Sequence, residues 1–123
     1  MEQPSIVHID QLAPYSPPGH AGTVNRRLVE AALGAGVEIV LGEVAAGGEA
    51  HPHSHDSAWQ IVIVLEGTLE HIEPGQPARR CAPGSVIRIP PRAVHGARAL
   101  DGGAKVLVIY SPPLPAEGGF RPG

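Results

Sequence analysis

The chain has 123 residues, a net charge of −3 and an apolar fraction of 42%. This length suits one domain with a hydrophobic core and excludes a second domain with a core of its own. A nucleic-acid partner is not expected, because the chain is not basic and only 3% of its residues are aromatic.

The 16 glycines and 14 prolines of the chain lie mostly between runs rich in valine and isoleucine. Short β-branched runs separated by such turn residues are typical of an all-β domain, a sandwich or a barrel. We therefore predict an extended N-terminal arm over residues 1–23, a single barrel over 24–112 and a flexible C-terminal tail over 113–123.

The predicted strands follow one another at short intervals along the barrel. The first two cover residues 24–31 and 37–45, and the strongest strand signal covers 58–67. Gly67 is predicted to end that strand, so that the alternating run at 68–73 becomes its partner. The remaining short runs are ARRCA at 78–82, SVIRIP at 85–90, AVHGARAL at 93–100 and AKVLVIYS at 104–111.

The sequence also indicates a compartment. A single cysteine, Cys81, excludes an internal disulfide and suits reducing conditions. The first residues lack the basic and apolar regions of a signal peptide. No window approaches the 18 or so apolar residues of a membrane span. We therefore expect a cytoplasmic protein without a membrane partner.

Three histidines, His51, His53 and His55, alternate just before the strongest strand. Alternate residues of a strand point to the same face, so His53 and His55 can bind one ion from a single strand. Neutral imidazole is a common ligand of first-row transition metals. His51 alternates in phase with the other two, which leaves a pair formed by His51 and His53 as the alternative.

Two later residues can complete such a site. Gln60 can share the face of the histidines if residues 56–58 form a turn. His95 follows a turn that Pro90 and Pro91 are predicted to form. Together with the histidine pair, these residues would offer three nitrogen ligands and one oxygen ligand.

The spacing of these residues resembles the two motifs of the cupin superfamily, G-x5-H-x-H-x3,4-E-x6-G and G-x5-P-x-G-x2-H-x3-N. Three departures stand out: Gln60 replaces the glutamate, Arg92 the second-motif glycine and Ala99 the final asparagine. The matching positions are Gly47, His53, His55, Gln60 and Gly67 in the first motif and Gly84, Pro90 and His95 in the second.

The resemblance implies a cupin double-stranded β-helix, which is a jelly-roll barrel, with His53, His55, Gln60 and His95 as ligands of one divalent ion. The ion would be Fe, Mn, Ni, Co, Cu or Zn, and His51 would support a ligand or line the cavity. The resemblance also implies an enzyme acting on a small molecule, with dioxygenase-type chemistry favoured. The alternatives are a metal-dependent isomerase, lyase or cyclase, and a non-catalytic ligand-binding or sensor barrel.

The glutamine has a chemical consequence. With Gln60 every protein ligand is neutral, so a bound ion keeps its full charge, favours oxygen anions and acidifies bound water. The substitution also removes a carboxylate base from the site. Arg92, near His95, is a candidate contact for a substrate carboxylate, whereas Arg88 is predicted to face solvent.

The remaining histidines lack such a context. His8, His20 and His71 are interpreted as surface residues or as residues whose hydrogen bonds are satisfied locally. His71 alternates with Leu69, which leaves the further hypothesis that it faces the cavity.

The run QIVIVL at 60–65 predicts an assembly. Val62 and Val64 occupy one face, whereas Ile61, Ile63 and Leu65 occupy the other, so neither face is polar. The opposing sheet can cover only one of them. We expect a partner subunit, in a homodimer, or the N-terminal arm to cover the other.

Overall fold

The computed structural model describes residues 5–115 and 120–122, and β-strands dominate them. Two short 3-10 turns, Ile9–Gln11 and Ala31–Leu33, are the helical elements of this part of the chain. No helix within the described ranges is long and apolar enough to cross a membrane. The strands are β1 (His20–Val29), β2 (Glu38–His55), β3 (Trp59–Ile72), β4 (Arg79–Cys81), β5 (Val86–Ile89), β6 (His95–Ser111) and β7 (Phe120–Pro122).

All strand pairs are antiparallel, in the order β1-β2-β6-β3-β4, with β5 added to β3 and β7 added to β2. The first half of β3 pairs with β5 and the second half with β4, while β6 pairs with both halves. This arrangement is consistent with a jelly-roll barrel and confirms the predicted fold class.

The long strands pass through the barrel's corner without ending. The register of β3 against β6 shifts on both sides of the corner, between Val64 and Glu66 and between Gly67 and Leu69. Gly67 has φ 74°, and a Cβ at this position would overlap the carbonyl oxygen of Gly103. The prediction that Gly67 ends its strand is therefore wrong, because the glycine lets the chain turn a corner and continue.

The predicted runs at 37–45, 93–100 and 104–111 also belong to longer strands. The first extends past its double glycine as part of β2, and the other two join into β6. The predicted inward set of β3, Gln60, Val62 and Val64, is confirmed as buried. The core comprises Val40, Val62, Val64, Leu69, Ile89, Ala99, Ala104, Val106 and Val108.

The terminal segments both attach to the barrel. In the N-terminal arm, Tyr15 pairs with Asn25 of β1, and β1 begins at His20, earlier than predicted. Within the C-terminal segment, Phe120–Pro122 forms strand β7. It pairs with the His53–His55 end of β2, because that edge offers unpaired backbone groups.

One outer face of the barrel stays apolar. Ile61 and Ile63 are half-buried, and Trp59 and Leu65 are 47% and 43% exposed. In the N-terminal arm, Tyr15 pairs with β1. In the sheet, β2 and β6 lie between β1 and β3, the strand that carries this apolar face. Both predicted covers, a partner subunit and the N-terminal arm, stay predictions.

Candidate metal centre

Three histidines meet at one end of the barrel. His53 and His55 lie at the end of β2, and His95 begins β6 directly opposite His53. All three are buried, and one ring nitrogen from each lies within 4.8 Å of the other two. The ring centroids of His53 and His95 are 4.4 Å apart. This spacing suits three imidazoles around one ion.

Backbone carbonyls orient two of the rings. The Nδ1 atom of His53 lies 2.7 Å from the carbonyl oxygen of His51, and that of His95 lies 2.9 Å from the carbonyl oxygen of Ala93. A carbonyl only accepts, so Nδ1 donates in both pairs and Nε2 keeps the lone pair. Nε2 of His95 is buried and has no hydrogen-bond partner in the described part of the chain. Such a nitrogen is prepared for a metal ion.

Gln60 brings an oxygen to the same cavity. Residues 56 and 57 form the bend that the sequence predicted between the histidines and β3. Gln60 is buried, and its Oε1 atom finds no donor among residues 5–115 and 120–122. A buried amide oxygen without a donor is costly, and a cation would relieve that cost. The donor set therefore fits a divalent transition metal, with the role of Gln60 still a prediction.

Burial also sets the charge of these rings. It lowers the pKa of His95 to about 4, with the neighbouring imidazoles of His53 and His55 adding to the effect and the bond to Ala93 opposing it. Burial likewise lowers the pKa of His53. Both rings are therefore neutral near pH 7, which is the form that binds a metal.

His53 and His95 border a cavity of about 80 Å³. The ring centroid of His55 lies 5.1 Å from that of His53 and 5.8 Å from that of His95. The walls of the cavity combine aliphatic and neutral polar side chains. Among the described residues, no aspartate, glutamate, lysine or arginine lines it. The aliphatic part includes Val44, Val62, Leu69, Ile87, Ile89, Val106 and Val108, and the polar part includes His20, Thr23, Asn25, Gln60, His71 and Tyr110.

Two wall histidines were not assigned to the site from the sequence. The ring of His20, on β1, is 5.9 Å from that of His53, and burial lowers its pKa to about 4. His71 is buried and lines the cavity, as the alternative interpretation of its spacing from Leu69 predicted. That spacing was the available signal for His71, whereas the sequence around His20 offered none.

The other candidates lie outside the cavity lining. The side chain of His51 is 60% exposed, because the register of β2 shifts between Ala50 and His53 and breaks the alternation. Its carbonyl, not its ring, supports His53. Arg88 and Arg92 are both exposed.

Arg92 has a backbone role. Its φ is 68°, the left-handed conformation that the motif's glycine adopts without strain. Its N–H donates to the carbonyl oxygen of His55 at 2.7 Å. The residue therefore braces the strand that carries two of the site's histidines.

The chain is similar in fold to several solved structures. Solved structures similar to the chain include the polyketide cyclase RemF from Streptomyces resistomycificus, at 26% identity and TM-score 0.81, covering 98% of this chain and 85% of that one. KdgF from Halomonas sp. has 26% identity and TM-score 0.74, with coverage of 88% and 94%. A cupin-like protein from Thermotoga maritima has 30% identity and TM-score 0.70, with coverage of 80% and 75%.

No curated protein matches the chain. The family profile described as Cupin domain matches residues 40–110, which is more than half of the chain and contains the three clustered histidines. The protein belongs to the cupin family.

Proposed function

We propose that the protein is a metal-dependent enzyme that cyclises a neutral, largely apolar small molecule held through its oxygen atoms. The observation that carries this proposal is the cavity itself. It places His53 and His95, two of the three clustered imidazoles, beside a wall that has aliphatic and neutral polar side chains but, in the described part of the chain, no charged one.

The wall argues for a neutral substrate. A carboxylate or phosphate away from the metal would lose its hydration in this cavity and find no arginine or lysine to replace it. Arg92, the candidate contact for such a group, is exposed and outside the lining, and so is Arg88. The aliphatic surface favours a carbon skeleton that can be desolvated.

The likeness to a polyketide cyclase supports cyclase chemistry, since it extends over 98% of the chain. A divalent ion at the histidines would polarise a carbonyl oxygen of the substrate as a Lewis acid. His53, His55, His95 and Gln60 would hold it with neutral donors. The aliphatic wall would fold the substrate and exclude water from the reacting carbons.

Dioxygenase-type chemistry, the leading expectation from the sequence, is the second candidate. The same three nitrogens and one oxygen accept iron or copper as readily as zinc. Oxygen consumption by the iron-loaded protein with a bound chelating ligand would favour it over the cyclase. Equal rates with and without oxygen are expected if the cyclase assignment is right.

A matched pair of ligands tests the substrate class. 2′-Hydroxyacetophenone chelates through two oxygens and is otherwise apolar, whereas 3-acetyl-4-hydroxybenzoate adds a carboxylate remote from the chelating atoms. Calorimetry with the zinc-loaded protein is expected to show at least tenfold weaker binding of the carboxylate, which is about 1.4 kcal/mol. Equal affinities would contradict the proposal, and His95→Ala serves as the control that removes the metal-bound component.

A further inference from the structure

We propose that His71, held by Glu73, is the acid–base residue of the cavity, an inference that rests on the proposed cyclase function. Ring closure between a carbon next to one carbonyl and the carbon of a second carbonyl requires a base that removes a proton and an acid that supplies one. Gln60 cannot serve as that base, because an amide does not take up protons near neutral pH. A neutral imidazole of the wall can take that role.

His71 occupies the right place for this role. It lies on β3 opposite Ala97 of β6, two residues from His95 along that strand. Residues two apart share a face, so His71 and His95 are diagonal neighbours, at a typical separation of about 7–8 Å. Only 5% of the His71 side chain is exposed. A small molecule bound at the histidine cluster would therefore reach His71.

Glu73 fixes the tautomer of this ring. Its Oε1 atom lies 2.9 Å from Nε2 of His71. A carboxylate accepts, so Nε2 carries the proton and Nδ1 keeps the lone pair that a base needs. The contact also holds the ring in one orientation, as a proton-transfer residue requires.

The dyad also connects the cavity with solvent. His71 lines the cavity and two outer grooves, and Glu73 lines both of those grooves. Glu73 is 44% exposed, so a proton taken up by His71 can leave through it. The other titratable or charged groups around this wall are Arg79, Arg80, Cys81, Arg88 and His95.

The chemistry balances within the substrate. Nδ1 of His71 takes a proton from a carbon next to a carbonyl, the C–H bond breaks, and its electron pair moves onto the carbonyl oxygen. The resulting enolate carbon attacks a second carbonyl carbon, forming the C–C bond and leaving a negative oxygen. The imidazolium of His71 then returns its proton to that oxygen, so no oxidant or reductant is needed.

Hydrogen exchange provides the first test. The acetyl protons of 2′-hydroxyacetophenone in D2O are followed by proton NMR with zinc-loaded wild type, His71→Gln, Glu73→Gln and Arg80→Gln. We expect exchange to fall at least about 100-fold in His71→Gln, the size of a general-base contribution. Glu73→Gln should fall about tenfold, whereas Arg80→Gln should stay within about twofold, because Arg80 is an exposed arginine of the same outer groove. Unchanged exchange in His71→Gln would overturn the proposal.

Nitrogen NMR of the metal-free protein provides a readout that needs no substrate. We expect the neutral His71 ring to carry its proton on Nε2 in wild type and to lose that preference in Glu73→Gln. A proton on Nδ1 in wild type would overturn the proposal, because the ring would then present no base to the cavity.

The two proposals fail differently. If the zinc-loaded protein binds the probe without exchanging it, the dyad is refuted as a base while the substrate class stands. If the probe does not bind, the proposed substrate class is wrong. The nitrogen NMR experiment then decides by itself whether Glu73 keeps the proton of His71 on Nε2. Zinc content and circular dichroism of each variant separate these results from misfolding.

Discussion

The lowered histidine pKa values make the stability of the metal-free protein depend on pH. His20 and His95 have pKa values of about 4 in the fold, against an ordinary value of 6.5. The unfolded chain therefore binds more protons than the fold between these two values. Stability is fully present above about pH 6.5 and is lost as the pH falls toward 4.

The magnitude follows from those values. At pH 5.5 a histidine with a pKa of 6.5 is mostly protonated, whereas one with a pKa of about 4 is not, which costs about 1.4 kcal/mol of unfolding free energy. Two such histidines give a loss of about 3 kcal/mol between pH 8 and 5.5. This is a large part of the stability of an ordinary small domain.

Urea denaturation in the presence of a chelator measures this loss. The free energy of unfolding at pH 8 and 5.5 is compared for wild type, His95→Gln and His8→Gln. We expect His95→Gln to remove about half of the difference and His8→Gln, whose side chain is 74% exposed, to leave it unchanged. A wild-type protein that is equally stable or more stable at pH 5.5 would refute the burial argument.

Four further outcomes are expected. His95→Ala should abolish stoichiometric metal in the purified protein by mass spectrometry, because one of three clustered imidazoles is lost. Gly67→Ala should destabilise the fold by more than about 2 kcal/mol in urea, since its Cβ would overlap Gly103. Arg92→Gly should instead raise the melting temperature, as relief of its left-handed φ is worth about 1 kcal/mol, and should leave metal content unchanged. Light scattering should give a mass twice that of the 12.7 kDa chain, and Val86→Glu, placed on the apolar outer face beside Ile63, should give the monomer. A monomeric wild type would contradict the dimer.

Most of the fold can be predicted from the sequence, because turn residues and apolar alternation are local patterns. Alternation identified the inward set of β3, and the spacing of the histidines placed three of them in one buried cluster. The continuity of the long strands was missed because a glycine with positive φ is a turn signal in isolation. At Gly67 that conformation instead serves a close approach to Gly103, a residue distant in sequence.

The site was predictable only where its residues share a strand or a motif. His53 and His55 share β2, but the residues that complete the wall come from partners that no local pattern specifies. His20 reaches the cavity because β1 pairs with β2 through Ala50, and His71 reaches it because β3 pairs with β6 through Ala97. His51 alternates with His53 and His55 in the sequence, but its ring is exposed because the register of β2 shifts between Ala50 and His53. Local patterns can therefore indicate the metal ligands, whereas the groups that select and activate a substrate follow from strand pairing. The proposed substrate class and the proposed proton-transfer residue therefore depend on the walls of the barrel and not on its motifs.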